Sequence, residues 1–122
     1  MSLYKPFTTQ YGRCAVRAYE LMQGGLDPEV AWDKAAYEII PTKSSRIKSC
    51  PKCFFLGLFG IKKGRKFNTE YAIKALNILK NRDINLDEVT AKEFWDNELQ
   101  LSDKTYNEQV HILFDLKAKG YL

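Results

Sequence analysis

Residues 9–40, TQYGRCAVRAYELMQGGLDPEVAWDKAAYEII, decide the fold class. Tyr11, Cys14, Ala15, Ala18, Leu21 and Met22 recur at helical spacing, with Arg13, Arg17 and Glu20 on the opposite side. Gly24-Gly25 supplies the left-handed stop that ends helices. Asp27-Pro28-Glu29 then reads as an N-cap, a first-turn proline and a first-turn acid, opening a second helix to Ile39 that Pro41 terminates. Two helices joined by so few residues must run antiparallel, so the segment is an αα-hairpin. Gly12, Ala15, Ala18, Ala31 and Ala35 are small enough to let its axes approach closely.

Working outward, residues 41–49 form a polar, basic connection. A third helix starts near Ser49 or Cys50 with Pro51 in its first turn, and runs through Phe54, Phe55, Leu56 and Leu58. A strand is the alternative for so short an apolar run. After Gly60 and the turn Lys62-Lys63-Gly64-Arg65-Lys66, Asn68 is placed to cap a fourth helix over 69–81. Thr90-Ala91-Lys92-Glu93 is a capping box, with Val89 and Phe94 spaced as a hydrophobic staple, and starts a fifth helix ending near Leu99. A last helix is expected over 104–119, stopping at Gly120. The fold expected for residues 1–122 is one all-α domain of about six helices. Its last three helices are similar to a winged-helix core without the wing.

The motifs Gly12, Ala15-Val16, Ala18, Ala31-Trp32, Lys48-Ser49-Cys50-Pro51-Lys52, Phe55-Leu56-Gly57-Leu58, Asn68, Tyr71-Ala72 and Ala75 together resemble a family of small bacterial proteins. That family has no assigned activity, so the resemblance implies no functional residue. This chain departs from it in a shorter loop after Leu58 and in a second cysteine at Cys53.

Composition narrows the class. In 122 residues, 45% hydrophobic and 28% charged content are globular proportions, which exclude a disordered or fibrous chain. No apolar run reaches the ~18–20 residues of a membrane span, and Met1 to Gln10 lack the layout of a secretory signal. Three cysteines are too few, and odd in number, for a secreted disulfide framework. The expectation is a cytoplasmic protein. Charge is unevenly distributed: from Ile39 to Asn68 there is no acid, but there are Lys43, Arg46, Lys48, Lys52, Lys62, Lys63, Arg65 and Lys66. The remainder carries 11 bases against 15 acids, so all of the chain's positive excess resides in this segment. These eight residues are the candidate anion-binding set, and nucleic acid or another polyanion is the candidate partner. A protein partner or a second copy of the chain is the other expectation. Phe54, Phe55 and Phe67 lie in this region but read as core, not as stacking platforms.

Chemistry-bearing motifs are sparse. Cys50-Pro51-Lys52-Cys53 is a C-x-x-C, and with Cys14 and His111 it makes four metal-ligand candidates. Cys50 and Cys53 are the one local pair, and using all four would require distant helix faces to converge, so no metal and no cofactor is expected. The same motif, at a helix N-terminus beside Lys48 and Lys52, makes Cys50 a candidate reactive thiol. A thiol-dependent enzyme or redox protein centred on Cys50 is therefore the rival of a binding protein, although no βαβ setting surrounds it. His111 shares a helix face with Glu108 and Asp115, which reads as solvated charge. In the same helix Lys104, Lys117 and Lys119 balance Asp103, Glu108 and Asp115, too neutral for a groove-reading helix. No phosphate-binding loop or Ser–His–Asp set is present.

Overall fold

The computed structural model describes residues 4–62 and 66–122, the side chain of Lys66 excepted. Helices α1 (Gln10–Gln23) and α2 (Pro28–Ile39) form the expected hairpin. The Thr9 side chain accepts from the Gly12 N–H, and the Asp27 side chain accepts from the Glu29 and Val30 N–H groups. Gly25, at φ +106°, makes the left-handed turn between them. The one-turn helix α3 (Lys43–Arg46) lies in the basic connection, and α4 (Ser49–Leu58) begins where Ser49 and Cys50 predict. Next come α5 (Lys66–Asn81), α6, and α7 (Gln109–Ala118). Helix α6 is α-helical over Ala91–Glu93 and continues as a π-helix over Phe94–Glu98. Among the described residues there is no strand, and six helices exceed one turn.

Helix α1 packs chiefly against α2 and α7, and α4 against α5 and α7. Ala15, Ala18, Ala31 and Ala35 of the two closely packed hairpin helices are fully buried. Trp32 of α2 rests on Phe55 of α4, and Phe114 of α7 meets Phe94 and the N-terminal Tyr4 edge-on. Gly57 marks the closest approach of α4 to α5, where a Cβ would sit 3.0 Å from both Ala72 Cβ and Thr69 Cα. The accessible surface of 6734 Å² matches the ~6,700 Å² that scaling gives for a folded chain of this mass.

Three local expectations need correction, and the fifth helix, present as expected, carries a π-turn. Helix α5 begins at Lys66, so Asn68 lies inside it and caps nothing; its Oδ1 accepts from Gln109 Nε2 at 3.2 Å. Residues 94–98 widen into a π-turn, in which the Leu99 N–H reaches Phe94 O at 3.0 Å. The wider turn lets the adjacent Phe94 and Trp95 both point inward at no exposure. Residues 104–108 are not helical: Glu108 adopts φ +64°, and α7 starts only at Gln109. The preceding loop folds back on Trp95 instead, through Leu101 N–H to Trp95 O at 3.0 Å. Gly12 serves α7, not α2, since its missing Cβ leaves room for the Asp115 carboxylate.

Helix α7 is buried on most sides, with Val110, Ile112, Leu113, Phe114 and Leu116 at no exposure. It is a core helix and presents no free face to a nucleic-acid groove.

Candidate functional site

The first turn of α4 opens on a cleft of about 570 Å³. Its floor is Ser49, Cys50 and Cys53 of α4; one wall is Phe67, Asn68 and Tyr71 of α5; the other is Lys104, Thr105, Asn107 and Gln109. The α4 N-cap, Lys48, contributes no side-chain bond to the helix end. The first backbone N–H groups of α4 thus have no intrahelical partners and set a positive potential there. The loop wall is held from behind. Buried Gln109 accepts the Asn107 N–H on Oε1 at 2.6 Å and donates through Nε2 to Asn68, bridging the two walls. Trp95 meets Tyr71 edge-on, with ring centroids 5.5 Å apart, and packs against Tyr106 at 5.2 Å.

The structure divides the basic segment by use. Arg46 is spent on the end of α2: Nε donates to Ile40 O at 2.5 Å, Nη2 to Pro41 O at 3.2 Å, and the guanidinium lies 5.0 Å over Tyr37. Lys52 pairs with Glu29 at 3.0 Å and Asp33 at 2.9 Å, tying α4 to α2. Lys43, Lys48 and Lys62 are exposed. Lys63 and Arg65 lie outside the described residues, as does the side chain of Lys66. Lys104, read from the sequence as part of a neutral helix, instead lines the cleft. Phe54 and Phe55 are core as expected, whereas Phe67 is 53% exposed on the cleft wall. Helical periodicity gave no sign of this, because the sequence signals start the helix at Thr69 and leave Phe67 ahead of it, whereas α5 begins at Lys66.

The three cysteines occupy different settings. Cys50 is half-buried and Cys53 buried, both on the cleft floor. Cys14 is sealed between α1 and α2 with Sγ 3.9 Å from Trp32 O, and burial pushes its thiol far above the ordinary range. Among the described residues, no group of three His, Cys, Asp or Glu side chains is arranged to hold a metal. His111 stands apart from the cysteines against Tyr106, whose hydroxyl contacts Nδ1 at 2.5 Å and accepts the His111 N–H at 3.1 Å.

The face read as solvated charge is a buried polar cluster. Asp115 has no exposure and accepts from the Tyr4 hydroxyl and, at 3.0 Å, from the Phe7 N–H. Its Oδ2 has no hydrogen-bond partner and lies over Gly12 in the first turn of α1. Burial holds the Asp115 carboxyl above its ordinary range, only partly offset by the Tyr4 and Phe7 bonds. Burial likewise raises Glu108 and lowers His111. A carboxyl raised in the folded state binds its proton more tightly there than in the unfolded chain. The resulting stabilisation is complete below the ordinary carboxyl range and is lost as pH rises through the folded value. His111 works in the other sense, its contribution being lost as pH falls below ordinary imidazole values. Comparison with Asp115→Asn cancels the His111 and Glu108 terms. Wild type should therefore gain stability relative to the variant between pH 7 and pH 4, by about 1.4 kcal/mol per unit of displacement. Urea midpoints across that range check this, and a constant difference between the two proteins would refute it.

Among the described residues no helix is long and apolar enough to cross a membrane. Residues 8–122 match the model of a family of unknown function. No curated protein and no solved structure matches the chain.

Proposed function

We propose, from the premise that this chain belongs to the family of unknown function DUF6979, that it is a cytosolic binding protein for single-stranded nucleic acid. The observation that carries this reading is the exposed Phe67, placed in one cleft with the α4 N-terminus and Lys104. An aromatic face accepts a base by stacking whatever its sequence, and a helix N-terminus with nearby lysines accepts the phosphate. Tyr71 lines the same wall, and the side chains of Asn68 and Asn107 offer amide groups to base edges, while buried Gln109 holds the two walls together. The exposed Lys43, Lys48 and Lys62 extend the positive surface beyond the cleft. Arg46 and Lys52 belong to the fold, so the basic segment is only partly available to a ligand.

Fluorescence anisotropy with a labelled oligothymidine at several salt concentrations tests this. Phe67→Ala should weaken binding by roughly 5- to 150-fold, the range for one lost stacking contact. Replacing Lys48 and Lys104 by Ala should flatten the slope of log K against log salt by up to about 0.7 for each residue that meets a phosphate. Lys117→Ala with Lys119→Ala is the matched control and should change little. Absence of binding by the wild type at ~50 mM salt, or equal losses from cleft and control variants, would sink the reading.

A further inference from the structure

We infer that Cys50 and Cys53 form a reversible dithiol–disulfide site on the cleft floor, oxidised by low-molecular-weight disulfides. This goes beyond nucleic-acid binding and does not depend on it. Both thiols line the same cleft, one helical turn apart, and they differ in access: Cys50 is half-buried, Cys53 is 7% exposed. That asymmetry sets the order of events. The Cys50 thiolate, reached first, attacks one sulfur of a disulfide such as oxidised glutathione and expels one glutathione thiolate, leaving a mixed disulfide on Cys50. The Cys53 thiolate then attacks the Cys50 sulfur and expels the second glutathione. In sum, two protein thiols are oxidised by two electrons to one Cys50–Cys53 disulfide, and one glutathione disulfide is reduced to two thiols.

Helix geometry makes the bond closable but labile. Residues i and i+3 of a helix have Cβ atoms about 5–6 Å apart, whereas a disulfide needs about 3.5–4.5 Å. The gap of roughly 1 Å must be taken up by the first turn of α4, where few intrahelical hydrogen bonds resist the movement. A disulfide closed against such resistance is readily reduced, as a switch requires and a permanent staple does not. Cys14 provides an internal control, since it is fully buried and its thiol is held protonated by its surroundings.

The native full-length protein is incubated in oxidised glutathione, quenched with iodoacetamide under denaturing conditions, and mapped by peptide mass. The expected product is a chain with one alkylated cysteine, Cys14, and a peptide containing linked Cys50 and Cys53 that dithiothreitol opens. Cys53→Ser should instead stop at a stable glutathione adduct on Cys50. If that variant does not fold, the wild-type map alone decides. Recovery of Cys50 and Cys53 as separately alkylated residues, or a glutathione adduct on Cys50 that persists equally in wild type and Cys53→Ser, would overturn the inference. So would modification of Cys14 at the rate of Cys50. Oligothymidine binding read separately on the reduced protein distinguishes failure here from failure of the binding reading.

Discussion

Gly12→Ala is expected to cost about 2–4 kcal/mol of folding stability, lowering the thermal midpoint by roughly 10 °C. The added Cβ would lie 1.9 Å from Asp115 Oδ2, 2.9 Å from its Cγ and 3.0 Å from Thr9 Oγ1. The carboxylate must therefore leave its seat and surrender the bonds from Tyr4 and Phe7. Hydrogen bonds to a charged group contribute about 1.5–3 kcal/mol, and overpacking costs a further ~1–3. Against these stands the ~1 kcal/mol by which alanine favours a helix over glycine. A double-mutant cycle isolates the cause. In an Asp115→Ala background the clash with the carboxylate is absent and only the 3.0 Å contact with Thr9 Oγ1 remains, so Gly12→Ala should become near neutral or stabilise by up to about 1 kcal/mol. Equal costs in the two backgrounds would show that the Gly12–Asp115 contact is not responsible.

Trp95→Ala should be the most damaging single truncation, at about 4 kcal/mol in denaturant unfolding. The indole has no exposure, meets Tyr71 edge-on and packs on Tyr106, and its Nε1 points to Lys104 O at 3.5 Å. The side chain therefore braces both walls of the cleft as well as filling the core. Trp95→Phe retains most of that volume and should cost under half as much. The two variants should also differ at the site. Native-state alkylation of Cys50 should accelerate in Trp95→Ala as the 101–108 wall loosens, while Cys14 stays slow in both. A loss below about 1.5 kcal/mol for the alanine variant would contradict this account of the core.

The hairpin was legible because its signals are local and mutually consistent. Caps at Thr9 and Asp27, a glycine stop and periodic small residues each act within a few residues of themselves. The start of α4 was legible for the same reason, which placed Cys50 in its first turn and Cys53 one turn further on. Legibility failed where a residue answers to something distant in sequence. Residues 104–108 carry a helical pattern, yet Trp95 and Tyr106 draw them into a loop, and that loop brings Lys104 to the cleft. Asp115 has a polar identity and an i+4 spacing from His111 that read as surface. Its burial comes from Tyr4, more than one hundred residues earlier in the chain.

Sequence by itself thus determined the all-α class, the helical hairpin, the position of the C-x-x-C motif at a helix start and the concentration of positive charge over 39–68. Each of these follows from backbone propensity, capping chemistry or a count of charges, and none needs a neighbour beyond a turn or two. Tertiary structure alone decided which charges are available. Arg46 and Lys52 are consumed by α2, because the carbonyls at its end and the acids on its side need partners. It alone exposed Phe67, buried Asp115 over Gly12, and gathered α4, α5 and the 104–109 segment around one cleft. The physical reason is that burial and pairing depend on which surfaces meet, and sequence separation places no limit on that.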